Sequence, residues 1–309
     1  MSPQPAASSA EGCLTQLRFW GVRGSVPSPG PATVRYGGNT SCLEVRGDGE
    51  IVILDAGTGL RLLGRALMSE FAERCLKLTL LLTHTHWDHI QGLPFFLPLL
   101  RPENELRILG YEGARLGLDN LLISQMESPF FPIGMRELDG NIRVEELKEL
   151  EFRVGRIRVT ATHANHPGKC MGYRLFTSAG SIAFFPDNEP PLGRKRWELA
   201  DDEGLAQAER EHQKMVAFLQ GTEVLVMDAQ YDRQEYEQRA GWGHGCVEDV
   251  VSLAIEAGVS QLVLFHHDPD HDDETIDRMT AEARQFAVGL GGTLQIEAAQ
   301  EGTTINLPK

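Results

Sequence analysis

The chain has 309 residues, 41% apolar and 24% charged, which is enough to bury a sizeable core without covalent staples. No apolar run approaches the roughly 18–20 residues that a membrane-spanning helix needs. With 29 Lys and Arg against 44 Asp and Glu, the net charge of −15 has the wrong sign for gripping a long nucleic acid and favours small-molecule partners.

Residues 1–16 are rich in Ala, Ser and Pro, have no basic start or apolar stretch, and read as a disordered leader to a single domain over 17–309. Cysteines at 13, 42, 75, 170 and 246 are odd in number and lack a CxxC spacing, so reduced thiols and a cytoplasmic location are expected. Residues 21–41, dense in Gly, Pro, Ser and Thr, form a loop. A strand over 51–54 ends at Asp55, and one over 78–83 ends at His84. A third over 181–185 leads through Pro186 to Asp187, a fourth over 223–227 to Asp228, and a fifth over 261–265 to His266. Such short, near-continuous apolar runs suit strands buried on both faces. Three-and-four apolar spacing predicts helices over 60–74, 197–219, 247–257 and 273–288. The alternation is that of a layered α/β fold. Ligands in such folds gather outside the carboxyl ends of the strands, so the five Asp and His residues predict one shared edge. Residues 112–141, with Phe130 and Phe131 between prolines, read as a second loop that caps a pocket or covers the core.

His84-Thr85-His86-Trp87-Asp88-His89 places four potential metal ligands in six residues, directly after an apolar strand. Alternate residues of an extended segment point the same way, so His84 and His86 can share one ion. Asp88 and His89 fall where the chain turns into the next helix and can face a second. Imidazole and carboxylate suit zinc, with manganese or iron as alternatives. Downstream, His166 in Asn165-His166-Pro167-Gly168 precedes a strand over 173–177. His163 competes with His166, and His267 with His266. His166 is preferred for its distance from Gly172-Tyr173, and His266 because it directly follows its strand.

With HxHxDH, a His before a Gly-Tyr strand, an Asp after a strand and a late strand-end His, the sequence resembles the metallo-β-lactamase fold over about residues 17–307. Within it the likeness is to the phosphodiesterase branch that includes tRNase Z and class II cyclic-nucleotide phosphodiesterases. Phe19-Trp20-Gly21-Val22-Arg23-Gly24-Ser25, Gly37-Gly38-Asn39-Thr40-Ser41-Cys42 and Leu264-Phe265-His266-His267-Asp268-Pro269 resemble a bacterial subgroup of that branch. The resemblance implies a four-layer αβ/βα sandwich and two zinc ions. His84, His86 and His166 would hold one, Asp88, His89 and His266 the other, with Asp187 bridging and Asp55 steadying the ligands from behind. It also makes a homodimer a further expectation.

Two ions so held lower the pKa of a shared water enough to supply a hydroxide nucleophile near neutral pH. A leaving group still needs a proton. His244, flanked by glycines in Gly241-Trp242-Gly243-His244-Gly245, is the candidate, and the resemblance to tRNase Z implies Asp228 as its acidic partner. Comparable tRNase Z enzymes carry His-Ser-Thr, whereas this chain reads His244-Gly245-Cys246 and loses a hydroxyl that would cap the following helix. Arg23 and Arg35 in the first loop are candidates for phosphate oxygens, and Phe130 and Phe131 for stacking a base or packing an apolar group. The leading expectation is a phosphodiesterase for a small phosphodiester such as a cyclic nucleotide. Lactone, thioester or β-lactam hydrolysis at the same centre is the second reading, and a non-catalytic or redox metal protein the third.

Overall fold

A computed structural model describes residues 14–307 apart from 73, 112–116, 129 and 191–201. Strands β1 (Thr15–Gly21), β2 (Cys42–Gly47), β3 (Glu50–Leu54), β4 (Lys77–Leu81), β5 (Glu105–Gly110), β6 (Asn141–Glu146) and β14 (Thr304–Leu307) make one sheet, in the order β14-β1-β2-β3-β4-β5-β6. The second sheet runs β13-β12-β11-β10-β9-β8-β7. Its strands are β7 (Glu151–Val154), β8 (Ile157–His163), β9 (Met171–Thr177), β10 (Gly180–Phe185), β11 (Val224–Asp228), β12 (Gln261–Phe265) and β13 (Gln295–Ala298).

The apolar runs are continuous because each strand serves two cores. Val52 and Leu54 of β3, Ile182 and Phe184 of β10, and Val263 and Phe265 of β12 point between the sheets. The residues between them, Ile53, Ala183 and Leu264, point outward to helices, as the period of two requires. Outside the first sheet lie α1 (Gly59–Glu70) and α3 (Leu118–Ser124), which bury Leu60, Leu63, Leu67, Leu118 and Leu122. Outside the second lie α4 (Asp202–Leu219), α6 (Val247–Glu256) and α7 (Asp273–Gly289). The result is the four-layer αβ/βα sandwich. Short helices α2 (Trp87–Ile90) and α5 (Arg233–Arg239) sit in loops near the strand ends.

Two boundaries differ from expectation, and a third is described only in part. The first strand starts at Thr15, inside the segment read as a leader, because Thr15 and Gln16 pair with Leu307 and Asn306 of β14; residues 1–13 lie outside the described residues. The segment 112–141 is not all loop: Leu118–Ser124 is helical, and its Leu118 and Leu122, with Met126 just past the helix end, are buried in the core outside the first sheet. Of the helix expected over 197–219, residues 202–219 are helical and 197–201 lie outside the described residues. The described cysteines, Cys42, Cys75, Cys170 and Cys246, are unpaired. Among the described residues no helix is long and apolar enough to cross a membrane.

Candidate metal centre

The parallel strands deliver their carboxyl ends to one edge. β3 ends at Leu54 and β12 at Phe265, and the next residues, Asp55 and His266, turn sharply with φ of 60° and 61°. A left-handed backbone is uncommon for non-glycine residues and costs free energy that the surrounding packing must supply. After β4, residues 82–86 lead through a bend at Thr83 into α2, whose first turn carries Asp88 and His89.

Two groups of side chains form. Atoms of His84, His86, His166 and Asp187 lie within 4.8 Å of one another, and so do those of Asp88, His89 and His266. Asp187 faces both: Oδ2 is 3.7 Å from His84 Nε2 and 3.5 Å from His166 Nε2, whereas Oδ1 is 3.0 Å from His89 Nε2 and 3.3 Å from His266 Nε2. Asp88 Oδ2 closes the second group at 3.1 Å from His89 Nε2 and 3.2 Å from His266 Nε2. The same oxygen accepts the Ser25 backbone N–H at 2.8 Å, which brings the first loop onto the centre.

The rings are oriented from behind. His89 Nδ1 donates to Asp55 Oδ2 at 2.7 Å, and His84 Nδ1 to Thr83 Oγ1 at 3.1 Å. Thr83 donates its own hydroxyl and N–H to Asp55. His166 Nδ1 donates to the Gly243 carbonyl at 2.9 Å, and His266 Nδ1 to Gln230 Oε1 at 3.1 Å. Gln230 is fixed in turn by donating to Asp268. With these Nδ1–H groups spent, the Nε2 atoms of His84, His89, His166 and His266 present lone pairs, whereas His86 turns its Nδ1 toward His166 Nε2 at 3.2 Å. His84 Nε2, His89 Nε2 and Asp187 Oδ1 are buried without any hydrogen-bond partner. Acceptors converging on acceptors call for a cation, and this donor set fits zinc-like ions.

The electrostatics agree. Burial drives His84 well below its usual range, which keeps the ring neutral and able to ligate. Burial would do the same to His89, but the carboxylates of Asp88, Asp187 and Asp55 override it and hold that ring well above its ordinary value. Burial penalises ionised Asp187, yet the neighbouring His266, His89 and His84 hold it well below the carboxylate range. Such a cluster binds protons where it lacks a metal, and metal binding would release them.

His244 Nδ1 lies 2.8 Å from Asp228 Oδ2 and 3.9 Å from Asp187 Oδ2, and its ring stacks on His266 at 5.0 Å. Burial alone would lower its pKa, but the Asp228 carboxylate outweighs this and raises it to about 9. The changed motif has thus not displaced His244. Cys246 does stand at the N-cap of α6 without a side-chain cap, as the lost hydroxyl implies; Glu248 and Asp249 in the first turn favour that helix end instead.

His163 is exposed and contacts Tyr111, and His267 is buried with Nε2 on the Ala299 carbonyl, so neither rival histidine joins the centre. Arg23 does not offer itself to phosphate. It is fully buried and donates to the carbonyls of Gly37, Asp268 and His271, tying the first loop to the segment after β12. Arg35 pairs with Asp277 at 2.6 Å and also donates to the Asp273 carbonyl, so its charge is already matched. Phe130 is exposed, and Phe131 packs edge-on against Phe95 at 5.5 Å rather than on the histidines. Sequence reasoning missed Gln230, Thr83 and Ser25. Gln230 stands two residues after Asp228 and Thr83 next to His84, but adjacency alone does not say which acceptor a ring nitrogen finds.

The beta-lactamase superfamily domain matches residues 51–267, most of the chain. The chain belongs to this superfamily. A curated relative, ribonuclease BN of Salmonella paratyphi C, is 25% identical over 236 residues, covering 66% of this chain and 74% of that protein. Among solved structures, the metallo-beta-lactamase fold protein YhfI of Bacillus subtilis superposes with a TM-score of 0.66 at 14% identity, covering 95% of this chain and 99% of that one. Human tRNase Z, short form, gives 0.62 at 18% identity, with 95% and 100% covered. A diphosphatase of the PhnP family gives 0.62 at 15%, with 94% and 97% covered. These structural likenesses carry the fold. With the superfamily match and the histidine and aspartate groups, they make the chain a metal-dependent hydrolase of the metallo-β-lactamase fold.

Proposed function

We propose that this hydrolase is a dinuclear zinc phosphodiesterase acting on small phosphodiesters such as a cyclic nucleotide. The observation that carries the reading is the split of Asp187, whose two oxygens face two separate histidine groups. His84, His86 and His166 would hold one ion and Asp88, His89 and His266 the other, with Asp187 between them. Zinc in such a pair lowers the pKa of water to give a nucleophile and neutralises charge on an anionic substrate oxygen.

The chain's own residues do the rest. Asp55, Thr83, Gln230 and the Gly243 carbonyl hold the ligand rings in the tautomer that presents Nε2. Asp228 binds His244 Nδ1 and keeps the ring protonated at neutral pH, leaving Nε2–H to donate to the departing oxygen. The names of the relatives, ribonuclease BN, tRNase Z and a diphosphatase, support phosphoryl chemistry. The net charge of −15 supports a small substrate over long RNA. Thr15–Arg18 of β1 pair with Thr304–Leu307 of β14 in one sheet, which supports a single domain over the described residues.

The test joins metal content to turnover of bis(p-nitrophenyl) phosphate, in the wild type and in His86→Ala. Two ions per chain and turnover abolished by the substitution are expected. Two ions without turnover would transfer the reading to lactones or thioesters. Fewer than one ion per chain after reconstitution would end it.

A further inference from the structure

The loop that carries His244 has no regular structure of its own, yet its geometry is tightly fixed, and the source of that order is an acid that no ligand or proton-transfer role has claimed. Glu189 lies two residues after Asp187 and is 1% exposed. Its side chain accepts the Tyr236 hydroxyl at 2.6 Å on Oε1. The Gly241 N–H is shared between the two oxygens at 3.0 and 3.1 Å, and the Gly243 N–H reaches Oε2 at 3.1 Å. Gly241 and Gly243 take φ of 90° and 91°, a backbone region that L side chains rarely adopt. N–H groups turned inward in this way, here those of two residues on either side of Trp242, form a concavity that suits an anion. Here the anion is Glu189 itself.

We infer that Glu189 is the positioning residue that shapes the 241–245 loop around its carboxylate and so places both His244 and the carbonyl that orients His166. Its backbone is clamped as well. Glu189 N–H donates to the Asn165 carbonyl at 2.9 Å, and Asn165 Nδ2 donates back to the Glu189 carbonyl at 2.7 Å. One residue therefore links three segments, those bearing Asp187, His166 and His244. On its far side the loop returns a carbonyl to His166 Nδ1, while His244 Nδ1 reaches Asp228. A side chain at Gly243 would collide with Pro167 and His166, so the loop has little freedom to compensate if the carboxylate is lost. The hydrogen bonds of Glu189 run to Tyr236, Gly241, Gly243 and Asn165 and not to a ligand atom, so its effect on chemistry is indirect.

This inference rests on the proposed proton-donor role of His244 for its kinetic arm, and on the loop geometry alone for its structural arm. Glu189→Gln keeps the shape but turns an NH2 group toward backbone N–H donors. In metal-loaded full-length protein, hydrogen exchange of peptides covering 239–246 should accelerate at least about tenfold, as local opening becomes easier, with the strands unchanged. On phosphodiesters, the loss of turnover with an alkyl leaving group should exceed that with p-nitrophenolate by at least about tenfold, because only the poorer leaving group depends on a donated proton. His244→Ala should show the same imbalance, and adding Glu189→Gln to it should not enlarge the ratio. Tyr236→Phe, which keeps the carboxylate and removes one donor, should move both readouts the same way by less, and it serves if Glu189→Gln does not fold. Unchanged exchange over 239–246 would overturn the inference. So would faster exchange with equal losses on both leaving groups, since the loop would then be held but His244 not placed by it. A wild type inactive on every phosphodiester would remove the functional reading, leaving exchange to decide on Glu189.

Discussion

Asp55 offers the sharpest test of how the centre is built, because it touches the ligands without being one. Its Oδ1 accepts the Thr83 N–H at 2.8 Å and its Oδ2 accepts His89 Nδ1–H at 2.7 Å. Asn is the mildest replacement: it fills the same volume and tolerates the φ of 60° found here. Whichever way its amide turns, the NH2 must face one of those two donors. One charge-assisted hydrogen bond is lost, worth about 1.5–3 kcal/mol. At about 1.4 kcal/mol per decade, this predicts metal binding about ten- to a hundredfold weaker. The loss should fall on the ion held by His89, since Asp55 reaches His84 only through the Thr83 hydroxyl. Zinc competition against a chromophoric chelator would resolve two binding steps and show which has moved, with circular dichroism to check folding. If Asp55→Asn is folded and both steps stay within about threefold of wild type, where the loss of outer partners ordinarily costs ten- to a hundredfold, Asp55 does not support the site as argued.

Arg23→Met should destabilise the fold by about 3 kcal/mol or more, because three backbone carbonyls lose a charged donor. Its KM for a phosphodiester should stay near wild type; a raised KM at unchanged Tm would restore Arg23 as a phosphate ligand. Gly24→Ala should lose zinc from the second group, seen as a drop in metal content, because a methyl group at Gly24 would overlap the His266 ring, which Gln230 holds in place. Stripping the metals should lower Tm by about 5 °C or more, since a ligand at a hundred times its Kd stabilises by about 2.7 kcal/mol. Zinc should restore the loss, and an unchanged Tm would mean that the histidine groups do not bind it.

The parts of the molecule legible in the sequence were those with a strong local signal. The runs that became β3, β4, β10, β11 and β12 are apolar on both faces because each strand lies between two cores, and His84 to His89 packs four ligands into six residues. The outer strands were less visible. β6 and β7 alternate exposed residues with half-buried ones, and the edge strands β13 and β14 are four residues each. α3 was hidden because it is only seven residues long, with Asp119 and Asn120 in its first turn and Gly117 before it, a composition that reads as loop. The arginines misled for a physical reason: a guanidinium in a Gly-rich loop suits phosphate and backbone carbonyls equally well. Only burial distinguishes the two, and burial is set by residues 14 to 248 positions away.

What the ligand motifs could not convey is how two sheets agree on one centre. Within each sheet the register settles it: Leu54 pairs with Leu81, Phe185 with Met227, and Asp228 with Phe265, so Asp55, Thr83, Asp187 and His266 leave their strands at nearly one level. Between the sheets the join lies just beneath the histidines. The buried Tyr173 hydroxyl of β9 donates to the Leu82 carbonyl at 2.6 Å, and Met171 N–H donates to the Thr83 carbonyl at 2.9 Å. The segment leading into His84 is therefore bonded to the opposite sheet before any metal binds. His84 and Asp187, which come from different sheets, can then stand 3.7 Å apart although His84 Nε2 has no hydrogen-bond partner. Holding unmatched acceptors together costs free energy, and the hydrogen-bonded seam supplies the rigidity that keeps them poised for a cation.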